Sequence, residues 1–266
     1  MNNTDEDVDA ICKKARTEQP SFAANVKEKL HGGPSHQNTE TSEVEKFPTL
    51  KTRTSPRTLY ETVIGLTQAQ RKAVCDMRLE SILNMTIDGV PYKLGFYVVD
   101  ILNTKKMTLD LRNNSIPITT QSIHDLMGLR LGGLDIEDPN DEDGDESILD
   151  EWKSQFDKPK MRPTNVMKLI IETDDANFMF KKNFWVLFVN LIAECTANGT
   201  CNFDFISKIK NEDMIPQIDW CKFIYDKIKQ SKQRWKSGNS NCFYVGPLTY
   251  IMVMHSNTSL YTPDEI

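Results

Sequence analysis

The sequence predicts a mainly α-helical fold: a multi-helix domain with one small β-hairpin, preceded by a disordered N-terminal segment. Three observations carry this. From residue 58 onward, apolar residues recur at three- and four-residue spacing, often behind a capping pattern. One short stretch alternates instead and returns across a run of turn-forming residues. Residues 1–57 are rich in Asn, Thr, Ser, Glu and Lys, and hold too little apolar surface to offset their chain entropy.

Within 1–57, a short helix around Val26 and Leu30 is the sole candidate element. Thr67-Gln68-Ala69-Gln70 is a capping-box pattern. It predicts a helix running to about Met77, with Val74 and Met77 facing inward. Residues 79–85 add a helical turn or two. Pro91 suits the first position of another helix, whose apolar stripe is Leu94, Tyr97, Val98 and Ile101. Residues 108–111 then alternate, 112–115 supply a turn, and 116–118 return as the second strand of a hairpin. Pro117 has no N–H to donate, which confines that strand to an edge. Thr119 is placed to cap a short helix carrying Ile123, Leu126 and Met127, and Gly128 stands where a left-handed C-terminal cap belongs.

Residues 132–151 hold ten acidic side chains. Their mutual repulsion predicts a loop without fixed structure, which interrupts the helical domain 58–258 and divides it into two halves. Past it, Pro163 opens a helix with Val166, Leu169 and Ile170. Residues 176–197 are apolar nearly all round, the mark of a buried central helix, with Gly199 as its terminator. Residues 216–236 form a long amphipathic helix with Ile218, Cys221, Ile224, Tyr225 and Ile228 on one face. A last helix spans Gly246 to Met254, and 259–266 are a tail.

A net charge of -6 and a pI near 5.4 argue against a general nucleic-acid binder, although the acidic tract supplies much of that charge. The acidic, polar first residues do not resemble a secretory signal. The longest apolar stretch, 184–193, contains Asn190 and falls short of the roughly 20 residues of a membrane span. The expected setting is therefore nuclear or cytoplasmic, without membrane association. Cys12, Cys75, Cys195, Cys201, Cys221 and Cys242 include no CxxC pair, so mostly buried free thiols are expected.

No metal or cofactor is predicted. His31, His36, His124 and His255 lack neighbours at zinc-ligand spacing. A calcium loop centred on Gly144 would use Asp141 and Asp143. It would also place Pro139 at the first ligand position and the short Asp150 at the twelfth. Gly132-Gly133 is a lone pair without the following Lys of a phosphate loop. Cys221 follows Asp219-Trp220, but it lies on an apolar face where burial keeps a thiol protonated; His124 and His255 remain open as spatial neighbours of a cysteine. No catalytic constellation follows, and the chain is not expected to be an enzyme.

The least bland feature is a basic pattern on 216–236. Lys222, Lys229 and Lys236 recur every seven residues, with Lys227, Lys232 and Arg234 nearby, and Asp226 interrupts them. Trp220, Phe223 and Trp235 interleave. Lys222, Lys229, Lys232, Arg234 and Lys236 are the candidate nucleic-acid contacts, reaching phosphates while a ring stacks on a base. The competing reading is a solvated helix surface with intrahelical charge pairs and core aromatics.

Four stretches carry a family resemblance. They are Leu66-Thr67-Gln68-Ala69-Gln70 through Leu83; Ile118-Thr119 leading into Ile123-His124-Asp125-Leu126-Met127-Gly128-Leu129 and Gly132-Gly133; Asp219-Trp220-Cys221-Lys222-Phe223; and Tyr244-Val245-Gly246-Pro247-Leu248-Thr249-Tyr250. Over roughly 58–258 the chain resembles the helical region of plant transposon-derived proteins. These include the plant mobile domain and the region preceding the ubiquitin-like-protein (SUMO) protease module in plant Mutator-type elements. The resemblance brings no catalytic residues, because in the protease-bearing relatives the His, Asp and Cys lie downstream. It implies a non-enzymatic, transposon-derived interaction domain, nuclear, associated with protein or nucleic acid. The alternative is the N-terminal non-catalytic region of a ubiquitin-like-protein cysteine protease. Partner and oligomeric state stay open.

Overall fold

The computed structural model describes residues 48–137, 144–157, 160–239 and 241–259. The segment 1–47, with its candidate helix, lies outside the described residues, as do Pro139, Asp141, Asp143 and 260–266.

The folded body begins ahead of residue 58. Leu50 is buried and its N–H donates to the Tyr92 carbonyl, while Tyr244 donates to Lys51 across a parallel bridge between Thr52 and Tyr244. Thr54 is also buried, donating to the Cys195 sulfur. Composition groups these residues with the polar head. One leucine and two backbone hydrogen bonds bind them to the body.

Helices α1 (Arg57–Gly65), α2 (Gln68–Asp76), α3 (Glu80–Leu83) and α4 (Tyr92–Asp100) follow. The Thr67–Gln70 capping box forms as predicted. Gln70 has a second role: its buried Nε2 donates to the carbonyls of Ile170, Thr173 and Asp175, tying α2 to the distant half of the chain. Pro91 precedes α4 as its cap instead of occupying the first turn. Tyr97 departs from the expected stripe and is 44% exposed, because α4 packs through Gly95, Val98 and Val99. Leu50 and Leu248 pack over the backbone at Gly95.

The predicted hairpin is β2 (Thr108–Asp110) and β3 (Ser115–Pro117), with Leu109 opposite Ile116. A strand too short to show alternation, β1 (Leu102–Asn103), pairs antiparallel with β2 and completes a three-stranded sheet of order β1-β2-β3. Pro117 sits on the edge strand, as its missing donor requires. Helix α5 (Thr120–Met127) has a Thr119–Ser122 capping box and ends on Gly128 at φ 64°, the left-handed cap predicted.

The described parts of the acidic tract, 132–137 and 144–151, depart from the expectation of no fixed structure. Leu134 bridges Ile218, Ile136 is buried, and Glu146–Lys153 forms a helix, α6, capped by Asp145. Repulsion acts among the exposed carboxylates, but Ile136, Leu149 and Trp152 supply apolar surface, and all three are buried. The Trp152 indole N–H donates to Asn183 at 2.7 Å. The tract therefore joins the two halves in one continuous core.

Helix α7 (Pro163–Glu172) starts on its proline. Helix α8 (Phe178–Phe188) runs into a π-helical turn, Val189–Ala193, and 182–193 are buried throughout. The helix ends at Ala193, where Glu194 becomes extended, and Gly199 lies in a later turn. Asn190 is tolerated inside because it bonds Asn202 in both directions. Short 3-10 segments, Asp204–Lys208 and Glu212–Gln217, lead to α9 (Trp220–Arg234), and α10 (Leu248–Ser259) closes the chain. Helix α9 is shorter than 216–236 because Pro216 sits in a 3-10 turn and Asp219 caps the helix. Around α8, α7 packs on α8 and α1, α9 on α5, and α10 on α4. Among the described residues, no helix is long and apolar enough to cross a membrane.

Candidate functional site

The charged face of α9 is built on a buried apolar face. Cys221, Ile224 and Ile228 recur at helical spacing into the core, and the Asp219 carboxylate accepts the Lys222 N–H at the helix start. Trp220, Phe223 and Trp235, considered above as base-stacking rings, are all buried. Trp220 packs edge-on against Trp185, Phe188 and Phe223, and Trp235 against Phe96. They are core residues and offer no face to a base.

The five candidate contacts are not one open stripe. Lys222 Nζ lies 2.6 Å from Asp226 and 2.9 Å from Asp135, and these two hydrogen-bonded carboxylates raise its pKa, Asp226 first. Lys232 donates to the carbonyls of Val99 and Asp100, at 2.6 and 3.0 Å, at the end of α4; burial lowers its pKa. Lys229 is exposed, and Arg234 is 66% exposed while reaching Glu194 at 3.6 Å. Lys236 is exposed but lies past the end of α9, since Trp235 is already extended.

Lys227, two residues before the exposed Lys229, is only 8% exposed along its side chain. Glu137 lies 2.5 Å away and Glu194 2.6 Å away. Burial works to lower its pKa, and the hydrogen bonds it donates to Glu137 and Glu194, with the charges of those carboxylates, together outweigh that and raise it. Burial is likewise the largest single influence on Asp135 and opposes its ionisation, but the bond from Lys222, the Glu137 backbone N–H and the charges of Lys222 and Lys208 together hold the carboxyl below its ordinary range.

Asp135 and Glu137 reach α9 because 132–137 form a strap across it. Arg130 braces the strap through the carbonyls of Gly132 and Pro216. Gly133 holds φ 131° against the Gln217 carbonyl, a place where a Cβ would collide. Leu134 donates to Gln217 and accepts from Asp219, and Lys208 holds the Ile136 carbonyl at 2.9 Å. Sequence spacing misses Lys227, Asp135, Glu137 and Glu194 as a group. The one signal available is the pair of acids flanking an isoleucine at 135–137; nothing local marks Glu194.

The thiols give a second test. Cys221 Sγ donates to the Leu129 carbonyl at 3.4 Å, and His124 Nδ1 lies 2.7 Å from that same oxygen, a contact that needs the proton on Nδ1. Burial, reinforced by Asp219 and Asp125, pushes the Cys221 thiol up to about 12. Cys201 is pushed up to about 12 by burial alone. His255 stacks edge-on against Tyr97, and burial lowers its pKa. Cys195, Cys201, Cys221 and Cys242 are free thiols. Asp150, the twelfth position of the calcium reading, lies within α6, 3.8 Å from Lys153. No group of three or more His, Cys, Asp or Glu among the described residues could hold a metal.

A family model described as a domain of unknown function, DUF8566, matches residues 52–252, from the Thr52–Tyr244 bridge into α10. No curated protein and no solved structure matches the chain.

Proposed function

The chain belongs to the family of the domain of unknown function DUF8566, and from that premise we propose that it is a non-enzymatic interaction domain. In this reading it is transposon-derived in the manner of the plant mobile domain, and it acts in the nucleus through macromolecular contacts. The observation that carries the reading is the shared carbonyl of Leu129. It accepts from the Cys221 thiol and faces the His124 imidazole, so the thiol donates to a carbonyl while His124 Nδ1 is held on the same oxygen. A thiol pushed up to about 12 by burial and bonded to a carbonyl stays protonated at neutral pH and is a poor nucleophile. The four-stretch resemblance points the same way, since it covers a region that precedes protease machinery and contains none of it.

The test is turnover of a fusion cleaved by ubiquitin-like-protein proteases, using the full chain and its Cys221→Ser variant. No turnover by either protein is expected. Turnover that disappears in Cys221→Ser overturns the reading.

A further inference from the structure

Each of the two strap-facing lysines of α9 is paired twice. Lys222 has Asp226 from its own helix and Asp135 from the strap; Lys227 has Glu194 from the end of the π-helical turn and Glu137 from the strap. One partner of each pair therefore belongs to the body and the other to 132–137. If the strap served packing alone, buried Ile136 and the backbone bonds of Leu134 would be enough. The strap instead carries a carboxylate on each side of Ile136, and each meets a lysine that another carboxylate already faces. An external anion could replace Asp135 and Glu137 without leaving either lysine unpaired.

We propose that the 132–137 strap is a built-in competitor for a phosphate backbone, occupying the N-terminal half of a surface on α9 that would otherwise accept duplex nucleic acid. The inference rests on the interaction-domain reading and names a partner chemistry for it. At the other end of the same helix, Lys229 and Arg234 are exposed, and Lys236 follows. With the strap displaced, Lys222 and Lys227 would each keep one carboxylate, Asp226 and Glu194, and turn the donor released by the strap to a phosphate beside that positive surface. Because Trp220, Phe223 and Trp235 are buried, such a surface reads backbone charge and not bases, which favours a duplex over a single strand. The strap competes from within the chain, at an effective concentration on the order of millimolar, so a weak partner cannot displace it unaided.

The experiment is fluorescence anisotropy with a labelled 20-base-pair duplex of arbitrary sequence, at low and at physiological salt. Wild type is compared with Asp135→Asn/Glu137→Gln. The double variant is expected to bind about tenfold more tightly at low salt. Its salt slope should steepen by about 0.9 for each phosphate newly neutralised, or about 2 in total. Adding Lys222→Gln and Lys229→Gln should remove the gain. Equal affinity of wild type and a folded double variant, judged by circular dichroism and a cooperative melt, overturns the proposal. Should the double variant fail to fold, Glu137→Gln alone retains the Asp135–Lys222 contact; a folded single variant with no gain overturns the proposal equally. Failure here leaves the interaction-domain reading intact, because that reading falls only to Cys221-dependent turnover.

Discussion

Lys227 and Lys229 stand two residues apart on α9 and have opposite surroundings. Lys227 is enclosed by two carboxylates and by the ring of Phe223, 5.2 Å away, while Lys229 points to solvent. The same contrast separates the start of the helix, under the strap, from its open end. A basic count along a helix therefore measures charge density and says nothing of availability. The availability of a lysine depends first on the side of the helix it projects from, two residues being about 200° apart, and then on which distant segment lies over that side.

The comparison can be broken most forcefully through its aromatic base. Trp220→Ala should cost about 3–5 kcal/mol in chemical denaturation, because the ring is fully buried among Trp185, Phe188 and Phe223. A cost under about 1 kcal/mol would mean that the ring lies at the surface and that the enclosed half of α9 is misassigned. Lys227→Ala comes next, at about 3 kcal/mol, since it leaves the largely buried Glu194 short of its nearest cation.

A smaller effect sharpens the strap. Asp135→Asn should cost about 0.5–1 kcal/mol at neutral pH, the scale of a partly exposed pair. Its pH dependence has a definite sign. The folded-state pKa of Asp135 is depressed, so its stabilisation is present above the unfolded carboxylate pKa of about 3.9 and is lost as pH falls through the folded value. Melts recorded from neutral pH down to about pH 3 should therefore show a shallower acid slope in the variant than in wild type. An identical slope would detach Asp135 from Lys222. The smallest change belongs to Lys229→Ala, within about 0.5 kcal/mol, as for an exposed surface residue. A larger loss in that melt would place Lys229 in an unrecognised contact and erase its contrast with Lys227.

Much of the secondary structure was legible. The Thr67 capping box, the Thr119 cap, the proline start of α7, the Gly128 cap and the β2–β3 hairpin follow from side chains within a few residues of one another. The departures share a cause. The strand β1 is two residues long and pairs only because β2 is beside it. The acidic tract looks like a solvated loop until Ile136 and Leu149 within it, and Trp152 just after it, are credited with the surface they bury. Tyr97 has helical spacing with Leu94, Val98 and Ile101, yet α4 turns its glycine and valine face to the core. For the candidate site, the sequence indicated the lysines and the burial of Cys221, and left the acidic partners of those lysines unseen.

By itself, the sequence determined the mainly helical class, the caps, the buried course of α8 and the protonated state expected of a thiol on an apolar face, because each is fixed by local spacing or by the chemistry of burial. Only the tertiary structure decided which basic residues stay open, that Glu194 and Glu137 converge on Lys227, and that Cys221 and His124 meet the same carbonyl. Those outcomes depend on segments brought together from far apart in the chain, and the packing of the core, not any local pattern of charge, sets that juxtaposition.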